Sequence, residues 1–325
     1  MDEATDFPDK ERRLRELRRK AASGARLGGE GIAPAGGPMP VRTGETQYYG
    51  LPLLKPPVWT WEVPAYFFVG GAAGAAAAVG GVAHAVGANP ALVRDARWIA
   101  AAGAIASPPL LISDLGRPER FLNMLRVFKL QSPMSVGAWT LAAFSTAAGG
   151  AAFADLVDRR YARRLPVRIL GNAAEALAAA TGLVLSTYTG VLIGATAIPV
   201  WSRHVHLLPA HFGASGLGTA VALLELLGHR ERALNRLAIG AAAAETLMGL
   251  MVERSDDAET GSVTQGRAAT LTRAGGLLSG PLPLALRLLA PRSRAARNLA
   301  ALSTIAGSLL TRVGWVAAGR ESARR

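Results

Sequence analysis

Eight apolar runs, each close to the length of a membrane crossing, leave this chain little choice of architecture. About 20 mostly apolar residues cross roughly 30 Å of hydrocarbon. Runs of that kind fall near 63–87, 97–113, 134–157, 171–195, 208–227, 233–252, 269–290 and 296–318. The second is shortened by Ser107-Pro108-Pro109, and the seventh is poor because Arg273, Pro281, Pro283 and Arg287 lie in or beside it. The connections are too short to form domains. The expected fold is an all-α integral membrane protein, a bundle of about eight transmembrane helices in two four-helix halves over 57–320. Polar tails are expected at 1–56 and 321–325.

Composition agrees with a bilayer rather than with water. Only 18% of the 325 residues are charged and 50% are apolar, where a soluble domain carries about 25% charge. The net charge of +13 would suggest a nucleic-acid partner on a soluble face; here it lies between greasy runs, so membrane lipid is the expected partner and nucleic acid is not. The chain has no cysteine, which excludes thiolate metal sites, iron–sulfur ligation by this chain and cysteine nucleophiles. Ala and Gly fill the runs, as at Gly70-Gly71-Ala72-Ala73-Gly74, and ordinary close helix packing explains them.

The N-terminal region lacks the apolar core of a cleavable signal peptide. Lys10 to Lys20 (KERRLRELRRK) could form a short basic helix through Glu11–Arg15 and Glu16–Lys20 pairs, ahead of a Gly/Pro-rich stretch at 24–40. A disordered, solvated tail is the expectation.

Eight crossings put both termini on one side, here the terminal face. Loops on the opposite face carry 14 Lys and Arg against 8 on the terminal face, so the positive-inside rule places the opposite face in the cytoplasm and the termini outside. The same parity gathers chemistry at the terminal face. The first run begins with Trp59, Trp61, Glu62 and Tyr66; the second ends at Asp114, Arg117 and Arg120. The fourth carries Tyr188, followed by Trp201, Arg203, His204 and His206, and the fifth opens with His211. An interfacial aromatic belt accounts for Trp59, Trp61 and Trp201.

Three of these segments resemble one family. The stretch WEVPAYFFVGGAAG from Trp61 to Gly74 is similar to the first-helix signature of the NrfD/polysulfide-reductase membrane subunits. DLGRPERFLNML from Asp114, with SPMSVGAW from Ser132, resembles that family's loop between helices 2 and 3. YTGVL from Tyr188, with Pro199 and Trp201 beyond, resembles its fourth helix. The resemblance covers roughly 57–320; the long basic N-terminal extension and the poor seventh run depart from it. It implies an eight-helix subunit that binds quinone or menaquinone near one face. It also implies a ferredoxin-like iron–sulfur subunit docked there and a molybdopterin catalytic subunit beyond.

A quinone site needs an apolar slot, hydrogen-bond donors for two carbonyls, and groups that exchange protons with water. Tyr188 suits as donor. Glu62, Asp114 and His211 suit as proton exchangers, with Tyr66 in the wall and Arg117 either holding Asp114 ionised or facing the partner. Plain packing competes for Tyr188, and a helix-end charge for Asp114. His84, Glu175, Glu225, Glu245 and Arg312 lie within apolar runs, where lone charges are costly. Glu175, Glu245 and Arg312 could form a proton path, with Arg312 the conceivable partner of Glu245, or could serve as internal ion pairs. Glu225 reads as interfacial. His204, His206 and His211 make a poor zinc set, and with only His84 deep, no haem is expected in this chain. A multipass transporter or channel without a redox partner is the competing reading.

Overall fold

The computed structural model describes residues 54, 56–115, 117–160, 165–255 and 266–323. Contacts divide the chain into Met1–Lys55 and Pro56–Arg325. The expected basic helix at 10–20 and the stretch at 24–40 lie outside the described residues. All described regular structure is helical. In chain order the α-helices are α1 (Glu62–Ala85), α2 (Pro90–Ser113), α3 (Pro133–Arg160), α4 (Leu165–Gly194) and α5 (Pro199–Arg203). They continue with α6 (Leu207–Leu226), α7 (Arg232–Ser255), α8 (Gly266–Ser279), α9 (Pro281–Leu289) and α10 (Arg294–Ser322); a 3-10 helix covers Pro118–Leu125 between α2 and α3.

Local sequence explains where these helices begin. Four of them, α2, α3, α5 and α9, open on a proline, whose fixed φ and missing N–H suit the first helical position. Asn89 caps α2 by accepting from the Ala91 N–H, and Ser293 caps α10 by accepting from the Ala296 N–H. The prolines within α2 do not end it. Helix α2 runs through Pro108 and Pro109 to Ser113, where the expected second run also ends. Proline at 108 deprives the Ala104 carbonyl of its usual helical donor, and the Ser145 hydroxyl of α3 donates to that carbonyl instead at 3.2 Å. A neighbouring helix has repaired the gap.

Five helices, α1, α3, α4, α6 and α10, are long and apolar enough to cross a membrane. The eight expected spans are thus matched in five cases by length and composition. Helix α2 has Arg94, Asp95 and Arg97 in its first turns, and α7 carries charges at both ends. The expected seventh span is two helices, α8 of 14 and α9 of 9 residues, separated at Gly280. The expected C-terminal tail is also shorter, because α10 continues to Ser322.

Helices α1 to α4 pack on one another, as do α6 to α10; α1 and α4 both join the two groups through α6, and α1 also through α10. Small residues set the spacing. A Cβ added at Gly74 of α1 would stand 2.3 Å from the Gly182 carbonyl oxygen of α4, and one at Gly182 would stand 2.6 Å from the Gly74 carbonyl oxygen. Large apolar side chains, Ile105, Phe153, Leu183, Leu247 and Leu302 among them, point outward, as a lipid-facing surface requires.

Candidate functional site

At the terminal-face end, the segment before α1 ties two acids together. The Thr60 N–H donates to Asp114 Oδ1 at 3.1 Å, and its hydroxyl reaches the same oxygen at 3.0 Å. That hydroxyl also contacts Glu62 Oε2. One proton serves two carboxylates, so Thr60 brings Glu62 and Asp114 to a single point at the ends of α1 and α2. Arg117 is exposed and forms no hydrogen bond or ion pair among the described residues. It does not hold Asp114.

The two tyrosines lie inward of this point. Tyr66 is buried in α1 beside Phe67, within electrostatic reach of Tyr188. The Tyr188 hydroxyl donates to the Pro133 carbonyl at the start of α3. Its ring lies where a Cβ at Gly137 would be 2.2 Å away, so Gly137 is what allows α3 and α4 to close on the phenol. The expected free donor is engaged, and the oxygen keeps its acceptor capacity.

An aromatic layer follows. Trp59 stacks on Trp201 with ring centroids 5.2 Å apart, and Trp201 Nε1 donates to the Trp315 carbonyl at 2.8 Å. Trp201 is fully buried, whereas Trp61 is 69% exposed. The belt reading fits Trp61 and fails for Trp201, which is core. His204 uses Nδ1 on the Val200 carbonyl (2.9 Å) and Nε2 on Ser255 Oγ (3.0 Å); His206 is exposed.

The largest rearrangement of expectation concerns His211 and Glu245. His211 belongs not with Tyr188 but with Glu245 of α7, on the wall of a mostly apolar cavity of about 190 Å³ between α7, α8 and α10. Nδ1 of His211 lies 3.2 Å from Glu245 Oε1, and Glu245 Oε2 accepts from the Ser279 hydroxyl at 2.8 Å. The cavity lining includes Leu250 of α7 and Leu277 of α8, both exposed. Glu253 and Arg273, paired at 3.3 Å, stand at its outer edge. Glu245 lies about 12 Å deeper along α7 than Glu253, at 1.5 Å per residue. Tyr188, Asp114, Glu62, Tyr66 and Arg117 do not line this cavity.

Arg312 does not pair with Glu245. It is fully buried and spends its guanidinium on the Ser215 hydroxyl (2.6 Å), the Ser308 hydroxyl and carbonyl (2.9 and 3.1 Å), and the Phe212 and Phe67 carbonyls (3.1 and 3.3 Å). It also sits 4.9 Å over the Phe212 ring. An arginine keeps its proton in a protein, so Arg312 supplies a fixed charge and cannot relay protons.

Glu175 joins a different network near the opposite end. It contacts His84 and accepts from Arg97 at 2.8 Å, while Arg97 approaches Asp155 at 3.6 Å. His84 is not deep; its side chain is 43% exposed in the last turn of α1. Glu225, expected to be interfacial, is fully buried and holds Arg287 (2.6 and 3.0 Å) and Arg297 (2.7 Å). The rule that a buried carboxylate needs a cation could have found these partners. The sequence reading instead counted Arg97, Arg287 and Arg297 as topology charges, and Arg287 also as a flaw in the seventh run.

A family model described as polysulfide reductase, of the NrfD type, matches residues 45–324 and so takes in every helix above. No curated protein matches the chain.

Proposed function

The chain belongs to the NrfD/polysulfide reductase membrane-subunit family, and from that premise we propose that it is the quinone-reactive membrane anchor of a multi-subunit oxidoreductase. Electrons pass between a ferredoxin-like iron–sulfur subunit at the terminal face and quinone or menaquinone held in the bundle. A molybdopterin subunit beyond carries the other half-reaction. Two electrons and two protons interconvert quinone and quinol, so this chain must bind the ring, keep its surroundings apolar and move protons.

Helices α2 and α7, and α8 together with α9, complete eight crossings in this reading. The 23 residues of α8 and α9 reach about 35 Å at 1.5 Å each, enough for the hydrocarbon. The chain is a multi-pass protein of the cell membrane with its termini outside.

The observation that supports the reading is the gathering of titratable and aromatic side chains at one end of the bundle. There Thr60 joins Glu62 to Asp114, Trp59 stacks on Trp201, and His211 faces Glu245 beside an apolar cavity. Glu62 and Asp114, partly exposed, exchange protons with water. Arg117 faces the docked subunit. Tyr66 and Tyr188 wall the interior, and His211 with Glu245 serves the buried ring.

The test is affinity purification of the tagged full-length chain from its native membranes. An iron–sulfur protein should co-purify, and the complex should exchange electrons with an added short-chain quinone. A chain that purifies alone and carries a solute across liposomes would overturn the proposal in favour of a transporter.

A further inference from the structure

A second apolar groove, of about 320 Å³, lies at the opposite end of the bundle among α1, α2, α6 and α7. Every side chain in its lining is apolar except that of Glu231. On α1 the lining runs inward from Val86, just past the helix end, to Ala78, about 12 Å at 1.5 Å per residue. Val82, Val86 and Leu237 belong to it and are exposed. In a membrane-spanning bundle, exposed apolar side chains of this kind meet acyl chains.

The polar end of the groove is short of a donor. Glu231 stands in the connection between α6 and α7. Asn89 Nδ2, from the connection between α1 and α2, donates to Glu231 Oε1 at 3.3 Å, and His229 Nδ1 lies 3.8 Å from the same oxygen. Oε2 is a buried atom with no hydrogen-bond partner among the described residues. Buried polar atoms left unsatisfied are uncommon and costly. Arginines flank this carboxyl in the chain. Arg230 donates from Nη2 to Asn298 Oδ1 at 2.6 Å and leaves Nη1 without a partner, and Arg232 is exposed.

A matching ligand has a long apolar tail that enters from the lipid phase. Its head stays at the membrane surface and carries a charged donor for Glu231 with an anion beside it for the arginines. A quaternary ammonium head has no N–H to give, and a head of net negative charge meets a carboxyl. We infer that this groove is a specific site for an aminophospholipid of the opposite leaflet. One acyl chain lies along α1 and α7, the primary ammonium donates to Glu231 Oε2, and the phosphate faces Arg230 and Arg232. The inference is independent of the quinone reading and of the cavity at His211.

The experiment is native mass spectrometry of the full-length chain in detergent, titrated with dioleoyl phosphatidylethanolamine or dioleoyl phosphatidylcholine. These lipids share their acyl chains and differ only at the head-group nitrogen. The ethanolamine lipid should bind about tenfold more tightly, the size of one hydrogen bond to a charged group. Glu231→Gln keeps the shape and drops the charge, and should cut that preference to about twofold. Ala233, exposed and in the lining, and Ala243, exposed on α7 outside it, test the tail. Ala233→Phe should weaken both lipids by about fivefold or more by filling the groove. Ala243→Phe should leave both within about twofold. Equal binding of the two lipids by the parent would overturn the inference, as would a preference that survives Glu231→Gln unchanged. A dimer of the parent that is lost in Ala233→Phe and kept in Ala243→Phe would also overturn it, because a second copy then covers the groove.

Discussion

Nδ1 of His211 and Oε1 of Glu245 stand 3.2 Å apart inside the bundle, too misaligned for a hydrogen bond. A histidine and a glutamate side by side at an apolar cavity are the residue types that general acid–base work uses. Ser279 fixes the other carboxyl oxygen at 2.8 Å and so fixes which oxygen faces His211.

Replacing either member should therefore stop proton delivery without unfolding the bundle. Glu245→Gln retains the bond from Ser279, and His211→Asn retains polarity. Each should lower quinone-linked turnover in assembled membranes by about a hundredfold or more. The double variant should be little worse than either single, because the two act as a unit. Rates within threefold of the parent for both singles would exclude the pair from the mechanism.

Tyr188 should behave differently. Its hydroxyl already donates to the Pro133 carbonyl, so Tyr188→Phe loses about 1 kcal/mol of stability. Turnover should stay within about threefold. A hundredfold loss, with the protein fully assembled, would show that the phenol acts on the ring directly.

Glu225 is a structural anchor. Glu225→Ala leaves the buried Arg287 and the half-buried Arg297 without their carboxylate, and breaking such a group costs about 3–5 kcal/mol. A steep fall in the thermal unfolding midpoint in detergent should follow. Arg297→Ala should cost less, since Arg287 still neutralises Glu225.

At Gly182 the next helix is already in contact. Gly182→Val should prevent stable assembly, because even its Cβ would meet the Gly74 carbonyl at 2.6 Å and overpacking by a whole side chain costs at least 1–3 kcal/mol. Normal yields of folded variant from membranes would contradict the packing of α1 on α4.

Orientation can be read directly because the chain has no cysteine. Arg117 and Arg168, both exposed, lie on opposite faces. In intact cells, Arg117→Cys should react with a membrane-impermeant maleimide, and Arg168→Cys only after permeabilisation. The reverse pattern would invert the topology.

Much of this was legible in the chain itself. Apolar run lengths gave the helices, Pro90, Pro133, Pro199 and Pro281 marked starts, and strict alternation of direction put Glu62, Asp114, Tyr188 and His211 at one end. What misled was local reading of single residues. Pro108-Pro109 read as shortening the second run, yet the helix continues through them and Ser145 from another helix satisfies the freed carbonyl. Trp201 looked interfacial, yet Trp59 and Gly319 enclose it.

Sequence alone thus determined an all-helical membrane chain, its family and the end of the bundle where Glu62, Asp114, Tyr188 and His211 fall, because crossing length and alternation are properties of one strand of residues. Tertiary structure decided which side chains touch: His211 with Glu245, Glu225 with two arginines, Arg312 with carbonyls and serines. These helices are apolar on nearly every side, so periodicity cannot distinguish a face that packs from one that meets lipid. Lateral neighbours are settled only when glycines let particular helices close and the few buried polar groups find partners across them.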